Sequence, residues 1–219
     1  MTQQRPRPYE FGDGIPLSGV PPGTTLFVGG EEINAAEELT LSMALRGREA
    51  GEGTILVSTN TTSEKLLDRC ERLSIGTDTG TVGAIDCSGT EPDESRDAVL
   101  QTVSSPQDLT GIGIEFSRLY ERLYRSEVRK IRTGFVSVAP LLMYSDLRTV
   151  FRFLHSLTSR ITGVDGLGVF VVDPAAHDEQ TANMLAQLAD GRIEVRDGQL
   201  RVRGLPDQPT EWTPYELSG

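Results

Sequence analysis

The sequence predicts an α/β fold: a mostly parallel sheet with helices on both faces and an antiparallel hairpin at its C-terminal end. Short apolar runs of strand length alternate with longer segments whose apolar residues recur at helical spacing, the pattern of a sheet whose strands are joined by crossover helices. Near the end of the chain, Asp197-Gly198 separates two alternating runs at 193–195 and 200–202, a two-residue hairpin signal. The 219 residues suffice for one domain with a buried core. A hydrophobic share of 37% is low for a globular protein, yet the apolar segments recur throughout, which separates the chain from disordered sequences.

In order, residues 1–18 are rich in Pro, Gly and polar groups and read as a flexible N-terminal arm. Residues 24–29 form the first strand, and 35–50 a helix with Leu39, Met43, Ala44 and Leu45 on one buried face. A second strand covers 55–58. Thr62 or Ser63 with Glu64 opens a short helix carrying Leu66, Leu67 and Leu73. A third strand at 82–87 leads into a polar loop at 88–97. Ser105-Pro106-Gln107-Asp108 starts a long helix to about Lys130, with Phe116, Leu119, Tyr120, Leu123 and Tyr124 inward. The fourth strand is 135–138. An amphipathic helix at 145–161 buries Val150, Phe151, Leu154, Leu157 and Ile161. A fifth strand at 167–172 precedes a helix at 179–188, which Asp178 caps. Residues 206–219, with Pro206, Pro209, Pro214 and Trp212, form a surface tail, so the domain proper is 19–205. No internal repeat is visible.

Net charge is −11, and ten of those eleven charges fall in residues 1–110. That acidic half disfavours direct nucleic-acid contact. Lys65 and Lys130 are the only lysines, so the basic side chains are almost all arginine. Excess acid with scarce lysine resembles the proteome of a salt-accumulating haloarchaeon, in which crowded carboxylates need screening by cations. Cys70, Cys87, His155 and His177 supply neither a disulfide framework nor a metal-ligand set. His177-Asp178 lacks a nucleophile in a recognisable elbow. No apolar run has membrane-spanning length and the N-terminus has no signal core, so the expected location is the cytoplasm.

The segment after the first strand carries the functional signal. Gly29-Gly30-Glu31-Glu32-Ile33-Asn34-Ala35-Ala36 can be laid on the phosphate-loop pattern G-x-x-x-x-G-K-[ST]. Gly29 matches the first glycine, Asn34 replaces the second, Ala35 the lysine and Ala36 the hydroxyl residue. Such a loop holds phosphate through backbone N–H groups, a helix N-terminus and the lysine. Here the lysine and hydroxyl are absent, and two glutamates bring repulsion. Any strand–Gly-Gly–helix turn would give the same letters, so the flanks decide.

Residues Gly19-Val20-Pro21-Pro22-Gly23-Thr24-Thr25-Leu26-Phe27-Val28-Gly29 resemble the "G-I-P-x-G-S" opening of KaiC-like proteins in the RecA superfamily of P-loop ATPases. Gly51-Glu52-Gly53-Thr54-Ile55-Leu56 is similar to that family's G-E turn and second strand. Asp190-Gly191-Arg192-Ile193-Glu194-Val195 and Arg201-Val202-Arg203-Gly204 resemble its last two strands. The resemblance spans residues 15–205 and implies a RecA-like core. It also implies a Glu pair after the second strand, where this chain has Asn60 and Thr61, neither a general base near neutral pH. It implies a metal-ordering Asp at the end of the strand in 133–141, where Ala139 or Pro140 stands. Cradle, base and metal ligand are missing together. In the family's rings, residues at Arg201 and Arg203 reach a neighbouring subunit's nucleotide; the alternative here is cross-strand ion pairing.

The expectation is therefore a degenerate, non-catalytic member without a cofactor, regulatory or scaffolding, with a protein partner such as an active KaiC-like or RecA-like ATPase or a signalling complex. A homo-oligomer is also compatible. The alternatives are a weak ATP-binding protein or slow ATPase using ATP and magnesium, or an accessory factor in DNA recombination. Arg118, Arg122, Arg125 and Arg129, with Arg132 beyond them, recur at intervals of four and three, which places the first four on one helix face. They read either as a partner-binding stripe or as a solvated face paired with Glu115, Glu121 and Glu127. Tyr120 and Tyr124 read as inward-packing neighbours, and Trp212 either as a partner anchor or as folded back on its own domain.

Overall fold

The computed structural model describes residues 7–73, 81–89, 99–173 and 178–217. Nine strands form one sheet in the order β4-β3-β2-β5-β6-β1-β7-β8-β9. They are β1 (Thr25–Gly30), β2 (Gly53–Ser58), β3 (Val82–Asp86), β4 (Val99–Thr102), β5 (Ile131–Phe135), β6 (Leu167–Val171), β7 (Gly191–Arg196), β8 (Gln199–Arg203) and β9 (Thr213–Pro214). Every pairing from β4 across to β7 is parallel, and β7–β8 and β8–β9 are antiparallel. The helices are α1 (Ile33–Leu45), α2 (Ser63–Arg72), α3 (Leu109–Arg125), α4 (Ala139–Tyr144), α5 (Leu147–Gly163) and α6 (Glu179–Leu185). Strands β2, β3, β5 and β6 are buried at every residue, because helices cover both faces of the sheet. One layer packs α3 and α5 on Ile55, Ile85, Phe135 and Phe170; the other packs α1 and α2 on Leu56, Val28 and Val169. In the β7–β8 hairpin, Asp197 and Gly198 both take positive φ, 48° and 67°, as a two-residue turn matched to strand twist requires.

Several elements differ from the sequence expectation. Helix α1 does not have one buried face: every residue from Ala36 to Leu45 except Glu38 is buried. It lies between two covers, α2 on one side and the N-terminal segment on the other. That segment is no loose arm over its described part, since Tyr9, Phe11 and Ile15 are buried in the same cluster as Leu39 and Met43. Tyr9 also pairs with Val20 through both backbone groups. Aromatic residues placed two apart among Pro and Gly supply burial that composition alone conceals.

Strand β4 was not expected: Val-Leu-Gln-Thr has no alternation, and its pairing to β3 at the sheet edge makes it a strand. Residues 90–97 of the expected 88–97 loop, and His177, lie outside the described residues. The 145–161 helix is preceded by a separate helix α4, and Asp146 caps α5 by accepting from the Thr149 N–H at 3.0 Å. Phe151 is half-buried instead of buried. The C-terminal tail adds β9, and Tyr215 and Leu217 pack on the core. Among the described residues, no helix is long and apolar enough to cross a membrane.

Candidate functional site

The loop after β1 is shorter than a phosphate cradle. Strand β1 stays paired to β7 through Gly30, opposite Val195, and α1 starts at Ile33. Only Glu31 and Glu32 lie between, both exposed. Gly30 is required by close approach: a Cβ there would collide with the Val195 carbonyl oxygen. Asn34 is exposed, Ala35 half-buried, and Ala36 fully buried among Leu39, Met43 and the N-terminal aromatics. The two side chains that would have to meet phosphate and magnesium are thus methyl groups, one of them inside the core.

Beside this turn lies a cavity of about 400 Å³, walled by Gly29–Glu31, α6 and the polar face of the β7–β8 hairpin. Arg201 and Arg203 pair across the strands with Glu194. Arg196 and Arg201 also lie 4.4 and 4.5 Å from the Trp212 ring centroid, so the indole folds back on its own domain.

At the end of β2, Asn60 donates to Glu37 at 2.8 Å, and Glu37 is held by Arg69 at 2.6 Å. The carboxylate meeting this position is therefore paired and 5% exposed. Thr59 donates to the Ser137 carbonyl at 2.6 Å, tying β2 to the segment after β5. Ala139 and Pro140 sit in the first turn of α4, not at a strand end; the strand stops at Phe135 and extended backbone bonds carry it to Val138. Asp86, at the end of β3, accepts from the Ser63 and Ser88 N–H groups at 2.6 and 2.7 Å and so ties β3 to the first turn of α2, whose N-cap is Thr62. Cys70 and Cys87 are buried free thiols, and burial pushes both up to about 12.

Residues 23–195 match DUF7504, a family of unknown function. The chain belongs to DUF7504. No curated protein matches it. Among solved structures, a KaiC-like protein of the hyperthermophilic archaeon Pyrococcus horikoshii OT3 superposes with a TM-score of 0.69 at 12% identity, over 94% of this chain and 92% of that one. The flagellar accessory protein FlaH of Methanocaldococcus jannaschii superposes at 0.59 and 14% identity, over 89% and 90%. These similarities show the fold: the DUF7504 chain has the RecA-like architecture of KaiC-like proteins.

In this DUF7504 chain the arginine stripe is divided. Arg118, Arg122 and Arg125 are exposed on α3; Arg118 pairs with Glu115 and Arg125 with Glu121, each at 2.6 Å. The helix ends at Arg125, so Arg129 lies beyond it, donating to the Tyr124 carbonyl at 2.9 Å with its guanidinium 4.4 Å from the Tyr124 ring centroid. Tyr124 is exposed, not inward. Arg132 is buried in β5. Sequence reasoning missed Glu37 and Asp86. An Asp closing a buried strand was a readable signal for the second; a Glu inside an apolar helix gave none for the first.

Proposed function

We propose that this chain is a non-catalytic RecA-fold protein of regulatory or scaffolding type that acts through protein–protein contact, with an active KaiC-like or RecA-like ATPase or a signalling complex as its partner. The observation that supports this is the β1–α1 turn. A magnesium–triphosphate does not fit residues whose lysine and hydroxyl positions are Ala35 and Ala36, one buried, and whose only exposed turn side chains are Glu31 and Glu32. Repulsion stands where attraction is needed. Asn60 and the Ala139–Pro140 pair offer neither base nor metal ligand. Exposed arginines at Arg118, Arg122, Arg125 and Arg129 give the partner surface in an otherwise acidic chain.

The purified protein in molar KCl with magnesium should release no phosphate from ATP above a buffer control. Saturable, magnesium-dependent turnover that changes at Glu31 or Asn34 abolish would overturn this reading. A second reading, weak nucleotide binding without turnover, is favoured by the cavity beside Gly29–Glu31 with Arg192, Arg196 and Arg201 on its wall. Equilibrium titration with ATP separates the two: saturable binding supports the second and none supports the first.

A further inference from the structure

Helices α3 and α5 pack over the same core cluster, and the groove between them encloses about 730 Å³. Its floor is apolar, formed by Leu109, Leu157, half-buried Phe153 and Ile114, and 46% of Ile114 remains exposed to water. Its rim carries Arg118, Arg152 and Arg160 against one carboxylate, Glu121. Glu121 is already engaged by Arg125, and Arg118 by Glu115. Arg160 contacts only neutral acceptors, the Gly113 carbonyl at 3.4 Å and the Ser117 hydroxyl, and Arg152 makes no ion pair with a described residue. In a chain of net charge −11, this groove is locally basic.

The glycines of α3 add an independent observation. A glycine inside a helix costs about 1 kcal/mol relative to alanine. Gly111 has a reason, because a Cβ there would strike the Asp108 carboxylate that caps the helix. Gly113 has none in the fold: a Cβ would meet nothing within 4 Å. What its missing side chain does is leave the groove open.

We propose that this groove receives an acidic amphipathic helix of a partner protein. Apolar side chains spaced three and four apart would enter the floor, and flanking carboxylates would meet Arg118, Arg152 and Arg160. The span from Leu109 to Glu121 is about 18 Å, enough for roughly three turns of a docked helix. Charge selects the occupant: with Arg118 and Glu121 already paired, Arg152 and Arg160 have no carboxylate partner among the described residues, and they attract an acidic helix and repel a basic one. This deepens the protein-contact reading above and rests on it, but uses no residue of the β1–α1 turn.

The test is anisotropy titration of the full chain with two dye-labelled helical peptides that share a leucine face, one flanked by glutamates and the other by lysines. The acidic peptide should bind saturably and the basic one at least about tenfold more weakly. Gly113→Phe should fill the floor and lower affinity for the acidic peptide about tenfold or more. Arg152→Glu with Arg160→Glu, at exposed positions, should do the same with unchanged circular dichroism, which keeps the test decisive if Gly113→Phe fails to fold. Equal affinity for both peptides, or undiminished binding by the double arginine variant, overturns the proposal. A homodimer in sedimentation that the double arginine variant disperses also overturns it, by giving the groove to a second copy. ATP turnover would sink the reading above without altering this titration, so the two failures are distinguishable.

Discussion

Arg132 leaves no nitrogen idle. Its Nε donates to Glu52 at 2.6 Å, Nη1 to the Met43 carbonyl at 2.9 Å and Nη2 to the Glu10 carbonyl at 2.7 Å, with the side chain 2% exposed. Glu52 also takes Lys130 at 2.5 Å, and both cations lie against Tyr9, 4.2 Å from its ring centroid for Lys130 and 5.3 Å for Arg132. One buried carboxylate and one guanidinium therefore fasten the N-terminal segment to β5 and α1. Breaking a buried pair by removing one partner costs roughly 3–5 kcal/mol, since the other charge stays desolvated. Arg132→Met should lower the unfolding free energy from denaturant titration by that order, and adding Glu52→Gln should recover part of the loss. A single variant as stable as the wild type would remove this network from the account. The sequence placed Arg132 in series with the helical arginines because their spacing runs on past the helix. The stop is Ser126 and a left-handed Glu127 at φ 65°, and neither Pro nor Gly announces it.

At the scale of elements, the β1–α1 junction separates what the sequence could say from what it could not. The absence of a lysine and a hydroxyl at Ala35 and Ala36 was readable, because it is written in the letters of the sequence. The shortened turn was not, because it follows from Gly30 pairing with Val195, a contact between residues far apart in the chain. The β7–β8 hairpin was legible for the opposite reason: Asp-Gly and flanking alternation fix it locally. Helix α1 and strand β4 were misjudged since their burial and pairing come from tertiary neighbours. The junction makes its own prediction. Ala36→Thr puts a hydroxyl among Leu39, Met43 and the N-terminal aromatics, at a cost of roughly 1–3 kcal/mol if it finds no partner. Ala35→Lys with Ala36→Thr should therefore lower the melting temperature and still produce no ATP turnover in a phosphate-release assay, because Asn60 and Ala139 are unchanged. Turnover in that double variant would mean that the base and metal ligand lie elsewhere.

Over the whole molecule, charge is unevenly distributed, and this sets how the fold should respond to salt. Ten of the eleven net negative charges belong to residues 1–110. The second half offsets its acids with arginines at the β7–β8 face and on α3 and α5, where Arg201 and Arg203 share Glu194 and the helix pairs join Arg118 to Glu115 and Arg125 to Glu121. Lowering ionic strength from molar to about 0.01 M stretches the screening length from about 3 Å to about 30 Å. Carboxylate repulsion in the first half would then reach across the domain, while the exposed ion pairs of the second half would gain at most about 1 kcal/mol each. Repulsion wins, so the melting temperature should fall steadily as KCl is withdrawn. Sodium chloride should substitute for KCl at equal ionic strength, because the effect is screening and not a specific ion site. A melting temperature unchanged across that range would show that the excess carboxylates lie too far apart to matter, and the halophilic reading of the composition would fail with it.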